Sequence, residues 1–352
     1  MMLFRSELKK LLLTQKGLLI LLVCLLLKIL FLGCFPELKD SRIQLSQKQY
    51  DKYLAELQGE NTPEKTAWIL SEYESCRETI NNQEFMEEQY RRGELTEEEW
   101  SAYYDELNLA YLHKNATEIF KEKAEQFLEQ SPELPPAHYS YEYGWQTVYV
   151  LQQFPDIFLL AGLLLISAQC FSMEISAGML PVLLSAKDGR GRLFRAKLSA
   201  LLLTSLTTAL VFDGAELAAF SLRGWLNDPY VPIYSVSAMT ECTLSFSLLQ
   251  GYLFSLFARS GAALLFAVLV FGCSVWGKSA SNLIFLGLCI LAVPMLWNTP
   301  LMAFTHSGLL CGSKLLLWLG SGIPAFLPLG VVLLYTAALL VISMRTYSKG
   351  IS

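Results

Sequence analysis

The sequence predicts an all-α, polytopic membrane protein, and three observations lead there. The chain has 352 residues, 53% hydrophobic and 17% charged, with a mean hydropathy of +0.38, whereas soluble chains carry about 25% charge. Between positions 200 and 344 only 8 charged residues occur in 145, too few to coat a water-exposed fold. The remaining charge is segregated. Residues 36–153 hold 24 acidic and 11 basic side chains, and the other 234 residues hold 16 basic and 8 acidic ones. An acidic, water-loving module is therefore set into an apolar, mildly basic chain. This excludes a cytosolic enzyme and leaves no basic face for nucleic acid.

The elements follow in order. Residues 1–16 read as a cytoplasmic interfacial elbow helix, because Leu3, Phe4, Leu8, Leu11 and Leu12 share one face and Arg5, Glu7, Lys9 and Lys10 lie elsewhere. A bilayer core about 30 Å thick needs about 20 apolar helical residues. Six stretches qualify as transmembrane helices: 17–35, 157–171, 198–220, 244–258, 262–276 and 323–344. A cleaved signal peptide is a poor reading of the first, which is long and lacks a small-x-small site after it. Pro155 and Asp156 suit the opening turn of the second, since Pro loses no bond there and a carboxylate favours the positive end of the helix dipole. The apolar stretch 282–297 is interrupted by Pro294 and is expected to form a re-entrant or bent helical pair. The rival arrangement makes eight crossings by using 309–319.

Orientation follows from Lys and Arg in the short loops, which stay cytoplasmic. The basic sites are Arg5, Lys9, Lys10 and Lys16; then Lys187, Arg190, Arg192, Arg195 and Lys197; then Arg259 between the fourth and fifth spans; and finally Arg345 and Lys349. Six passes put all four groups, and both termini, in the cytoplasm. Residues 36–153 then form a helical extracytoplasmic insertion between the first and second spans. Within it Thr62-Pro63-Glu64 marks one helix start and Thr96 with Glu99 has capping-box spacing. Trp100, Tyr104, Leu107 and Tyr111 recur at helical steps and are expected to be the core of a small helical hairpin. Tyr139, Tyr141, Tyr143, Trp145 and Tyr149, after the Pro132 to Pro136 bend, read as an aromatic belt at the headgroups.

Few motifs carry chemistry. Gly272 to Ser279 satisfies a phosphate-loop pattern in letters, but it sits among apolar spans, and its only acidic counterpart, Asp213, lies upstream, so coincidence explains it. Lys28, Asp213 and Glu216 are ionisable groups inside spans, each costing about 2.5–3.5 kcal/mol if central and unpaired. Asp213 and Glu216 share a helix face, and a contact between Lys28 and Asp213 is geometrically open. The cluster either lines a route between helices or is a structural ion pair. The eight Cys show no Cys-x-x-Cys spacing, and the three His have no matching carboxylates, so neither a disulfide framework nor a metal site is indicated.

The segment 173–197 is the most informative. Glu174, Gly178, Leu180, Leu183 and Leu184 precede Arg190, Arg192 and Lys197. With the basic elbow, the large outer insertion and the six spans, this resembles permease subunits of ABC type-2 exporters. The Leu256 to Ser260 run also looks like that family's turn between its fourth and fifth spans. One departure is Ala186-Lys187-Asp188-Gly189, where members commonly carry a Pro. The resemblance implies that 173–197 is a coupling loop driven by separate ATP-binding subunits. It implies two copies of such a subunit, a second permease copy or a related permease, and a location in the cell membrane. ATP and Mg would be bound by the partner, so this chain has no cofactor of its own and is not itself an enzyme. The cargo stays open among a peptide, an amphiphile, a lipid-linked molecule and an ion. A membrane sensor or assembly scaffold with a ligand-binding outer domain is the alternative.

Overall fold

The computed structural model describes residues 2–130, 134–176, 178, 189–277, 279–295, 300–324 and 326–349. They are overwhelmingly helical, as the hydropathy pattern requires. The chain divides into two compact units: residues 1–36, 148–225 and 250–352 form one, and residues 37–147 with 226–249 the other.

The first unit opens with α1 (Met2–Lys9), continued by a π-turn at Lys10–Thr14. Lys16 then adopts a left-handed conformation with φ 56°, which ends the elbow and starts α2 (Gly17–Cys34). The turn back is tight: a Cβ at Gly17 would lie 2.4 Å from the Leu11 carbonyl oxygen. After the second unit come α8 (Ile157–Ser176), α9 (Gly189–Leu222), α10 (Leu248–Ser274), α11 (Ala280–Met295), the short α12 (His306–Leu310) and α13 (Gly312–Gly320), and α14 (Phe326–Lys349). Four helices are long and apolar enough to cross a membrane, within α2, α9, α10 and α14. The apolar parts of α8 and α11 are shorter. α2 packs on α8 and α9, α1 lies along α9, and α11 lies against α8. Phe171, Phe194, Phe271 and Tyr347 form an aromatic core joining α8, α9, α10 and α14, with ring centroids 5.1–6.0 Å apart.

Two span assignments need correction. The expected fourth and fifth spans, 244–258 and 262–276, are one unbroken helix, α10, of 27 residues or about 40 Å. Arg259 lies within it rather than in a loop. The reason is electrostatic. Where a bent pair was expected at 282–297, the described residues up to Met295 form one helix, α11; residues 296–297 lie outside the described residues. The short helices fall later, at Pro300–Phe304, α12 and α13. α13 has 9 residues, about 13 Å, so 309–319 is too short and too broken for a crossing.

The second unit contains α3 (Ser41–Leu57), α4 (Pro63–Asn81), α5 (Gln83–Arg91), α6 (Glu97–Leu128) and most of α7 (Tyr143–Leu151). β1 (Gly59–Glu60) pairs antiparallel with β2 (His138–Tyr139), Gly59 opposite Tyr139. The expected helix starts are present. The Thr62 side chain caps α4 through the Lys65 N–H, and Thr96 and Glu99 form a reciprocal capping box on α6. The core is not the predicted stripe. Leu107 is buried, but Tyr104 and Tyr111 are about half exposed, because α6 turns Tyr103 and Leu107 toward α4. The core is built from Tyr50, Tyr53, Phe120, Phe127 and Tyr139, with Tyr50 stacked on Phe120 at 4.9 Å. Tyr139, Tyr143 and Trp145 are fully buried inside this unit, and Tyr149 is buried in the first. They fill cores and form no exposed belt.

Candidate functional site

The three intramembrane ionisable residues come together in the first unit, with two partners that the sequence reading had placed elsewhere. Lys28 Nζ donates to Asp156 Oδ2 at 2.6 Å, to Glu216 Oε2 at 2.8 Å and to the Phe212 carbonyl at 3.1 Å. Arg259 Nη2 donates to Asp213 Oδ1 at 2.9 Å and to Glu216 Oε2 at 2.8 Å. Ser260 Oγ donates to the other Asp213 oxygen. Asp156 Oδ1 also accepts from the Phe158 and Leu159 N–H groups, capping α8. Lys28 therefore does not reach Asp213 directly; Glu216 bridges the two cations.

The five side chains are 3–10% exposed. At that burial the alternative to pairing is a stranded ion in an apolar surround, which costs several kcal/mol. This is why Arg259 stays inside a continuous helix: two carboxylates one turn apart on α9 hold its guanidinium. The network carries three carboxylates against two cations, so one negative charge is not balanced within it. Asp156 and Arg259 were missed for one reason. Each lies at the edge of an apolar run, where a charge reads as a boundary. A usable signal existed, since Asp213 and Glu216 in an apolar helix demand more than Lys28 alone.

A second buried network ties the elbow to the helices flanking 177–188. Lys197 Nζ on α9 contacts Glu174 Oε1 on α8 at 2.8 Å and Glu7 Oε2 on α1 at 3.0 Å, and donates to the Cys170 carbonyl at 2.9 Å. Lys10 also donates to Glu174. The Lys197 ammonium lies 5.3 Å from the centroid of the Phe171 ring, a favourable cation–π distance. Of the predicted coupling residues, Glu174 and Lys197 meet here. Gly178 is exposed and left-handed, with φ +67°. Arg190 and Arg192 lie in the first turn of α9, and Arg192 is exposed. Leu180, Leu183 and Leu184 lie outside the described residues. In the sequence Glu7 and Lys10 read only as the polar face of an amphipathic helix.

The phosphate-loop look-alike dissolves into packing. Gly272 is helical and accepts a hydrogen bond from Ser343 Oγ of α14 at 3.1 Å, so its missing Cβ serves a helix contact. Lys278 lies outside the described residues. Among the described residues, no group of three or more His, Cys, Asp and Glu is placed to hold a metal.

The chemistry available is thus positional and electrostatic: two ionic clamps, one inside the bundle and one at the elbow. Comparison with family models, with curated proteins and with solved structures gives no match.

Proposed function

We propose that the chain is the membrane permease subunit of an ATP-driven exporter, energised by separate ATP-binding subunits. The observation that carries this reading is the buried tie of Glu7, Lys10, Glu174 and Lys197. A soluble motor can move spans only through a part that is rigidly joined to them. Here the elbow and both helices bordering 177–188 share one ionic knot, so a push on that segment reaches α1, α8 and α9 together. The likeness of 173–197 to the coupling segment of ABC type-2 exporters supports the same role for Gly178, Leu180, Leu183, Leu184, Arg190 and Arg192.

The proposed topology has six crossings, by α2, α8, α9, α10, α11 and α14, with both termini in the cytoplasm of a cell-membrane protein. It differs from the hydropathy reading in merging two stretches into α10 and counting α11. Parity is kept, and Lys278 replaces Arg259 as the basic residue of the loop after α10. Residues 37–147 and 226–249 are then extracytoplasmic. Nucleotide binding in the partner would act by favouring one arrangement of the spans over another, since a partner indifferent to the two would shift nothing.

The test is affinity purification of the full chain in mild detergent. Recovery of a stoichiometric ATPase, stimulated by the permease and uncoupled by Glu174→Gln, is the expected result. A chain that purifies intact without any ATPase partner under varied detergent and nucleotide conditions refutes the reading, as does thiol labelling that puts 178–188 on the extracytoplasmic side.

A further inference from the structure

We infer that the first unit holds a binding site for an uncharged amphiphile whose head group both donates and accepts hydrogen bonds, an amide or hydroxyl, and whose body is apolar. A cavity of about 420 Å³ lies beside the Lys28 network, lined by the C-terminal part of α2, residues 150–158, and faces of α9 and α10. Its size falls within the ~300–1,000 Å³ usual for small-molecule sites. The lining is mostly apolar, chiefly Phe31, Phe35, Leu151, Phe154, Phe158 and Phe220, and its polar members are Lys28, Gln152, Asp156, Glu216 and Arg259.

Three polar atoms of these lining residues have no hydrogen-bond partner: Gln152 Nε2, Arg259 Nε and Glu216 Oε1. Their residues are only 2%, 3% and 4% exposed. Buried polar groups are satisfied in the great majority of cases, because an unmade bond there forfeits the whole of its hydration. Other atoms of the same side chains are engaged: Gln152 Oε1 accepts from Ser255 Oγ at 2.6 Å, and Glu216 Oε2 and Arg259 Nη2 hold the ionic network. Two donors and one acceptor are therefore left unmade on residues that line the cavity.

That inventory discriminates between head groups. A carboxylate or phosphate serves the two donors but faces Glu216 in a network already one charge negative. An ammonium serves Glu216 but leaves both donors unmade and meets Lys28 and Arg259. An amide or hydroxyl group answers all three at no cost in charge. The entrance suits the apolar body, since Phe31, Phe154 and Ile157 line the cavity and are still 42%, 57% and 67% exposed. Lys28 is six residues from the end of α2, about 9 Å along the helix, so the head group sits shallow and the chain is left among lipid-facing rings. Binding here does not depend on the transport reading.

The test uses the full chain in lipid nanodiscs and a photoactivatable diazirine analogue of N-(2-hydroxyethyl)dodecanamide. Crosslinked peptides are mapped by mass spectrometry. Competition is measured with the unlabelled amide, dodecanoate, dodecylammonium and dodecyl methyl ether, which share a chain length and differ in the head. Crosslinks confined to residues 28–36 and 150–158, with the amide competing about tenfold better than either ion, are expected from two or three satisfied bonds. Gln152→Leu should weaken the amide several-fold and leave the ether unchanged. Phe154→Ala, at an exposed position that folding tolerates, should weaken every dodecyl probe. Crosslinks spread over all lipid-facing helices, absence of saturable competition, or a preference for dodecanoate or dodecylammonium overturns the inference. None of these outcomes depends on an ATPase partner being found.

Discussion

Replacing Arg259 by Met distinguishes a residue buried in an ion network from one in a short polar loop. The change keeps an unbranched chain but deletes the bonds to Asp213 at 2.9 Å and Glu216 at 2.8 Å. Lys28 is then the sole cation against three carboxylates, and Asp213 keeps only Ser260. Removing one partner of a buried ion pair costs about 3–5 kcal/mol, because the remaining charge is stranded, whereas an exposed loop substitution stays within about 0.5 kcal/mol. The discriminating control is Arg195→Met on exposed α9 surface. Unfolding by SDS titration in mild-detergent micelles gives the comparison, followed by Trp fluorescence and checked by gel filtration. Adding Asp213→Asn to Arg259→Met removes one stranded charge, so the pair should be about 1–3 kcal/mol less damaging than the sum of the single changes. Arg259→Met indistinguishable from Arg195→Met, or strict additivity in the double variant, would show that the network is not the reason α10 is continuous.

Four further outcomes follow from other parts of the molecule. Lys197→Met leaves Glu174 with Lys10 as its remaining cation and releases Glu7. Docking of the elbow should weaken by about 3 kcal/mol, read as roughly a hundredfold loss of hydrogen-exchange protection over residues 8–13. Gly308→Ala puts a Cβ 2.0 Å from the Met302 carbonyl oxygen, a backbone atom that cannot swing aside, and should cost about 3 kcal/mol or more. Gly261→Ala meets nothing within 4 Å in the middle of α10 and should gain about 0.5–1 kcal/mol through helix propensity alone. In the second unit, burial first and then Lys52 lower the pKa of His113 below its ordinary 6.5, with Glu72 opposing. The folded state thus prefers the neutral ring. Its contribution to stability is complete above about pH 6.5 and is lost as pH falls from there toward the lower folded value. Acidification from about pH 7.5 to about pH 5.5 should therefore lower the thermal midpoint by more in the native chain than in His113→Gln, which keeps a hydrogen-bonding group beside the Tyr53 hydroxyl.

How much of this was legible in the sequence depended on whether the deciding interaction was local. The starts of α4 and α6 were readable because Thr62 with Pro63 and Thr96 with Glu99 act within one turn of their own helix. The first helix was readable because amphipathicity repeats along a single short segment. The aromatic assignments failed for the opposite reason. Tyr139, Tyr143 and Trp145 have the composition of an interfacial belt, and only tertiary partners such as Phe127 and Tyr50 make them core. Likewise residues 226–249 show no periodicity, yet Ile233, Tyr234, Val236 and Met239 are wholly buried in the second unit.

The failure at Arg259 is more general. A lone charge within an apolar run has two physical solutions: the chain can turn and expose it to water, or the helix can continue and bury it beside an opposite charge. Hydropathy averages cannot separate these, because both lower the local mean by the same amount. Charge accounting across spans can. Asp213 and Glu216 sit in an apolar helix that cannot turn between them, so they require about two cations in other helices, and Lys28 supplies one. Among the remaining basic residues of the apolar region, Arg259, Lys278 and Lys314 are each flanked by more than ten residues of uncharged sequence on both sides, which narrows the second partner to three candidates, and the structure pairs Arg259 with Asp213 and Glu216. The same accounting assigns Glu174 to Lys197 and Lys10, at helix ends where a polar loop would otherwise be expected. Membrane segments containing charges are therefore better parsed by pairing the ions before dividing the hydrophobic runs, since in lipid an unpaired ion costs more than a misplaced turn.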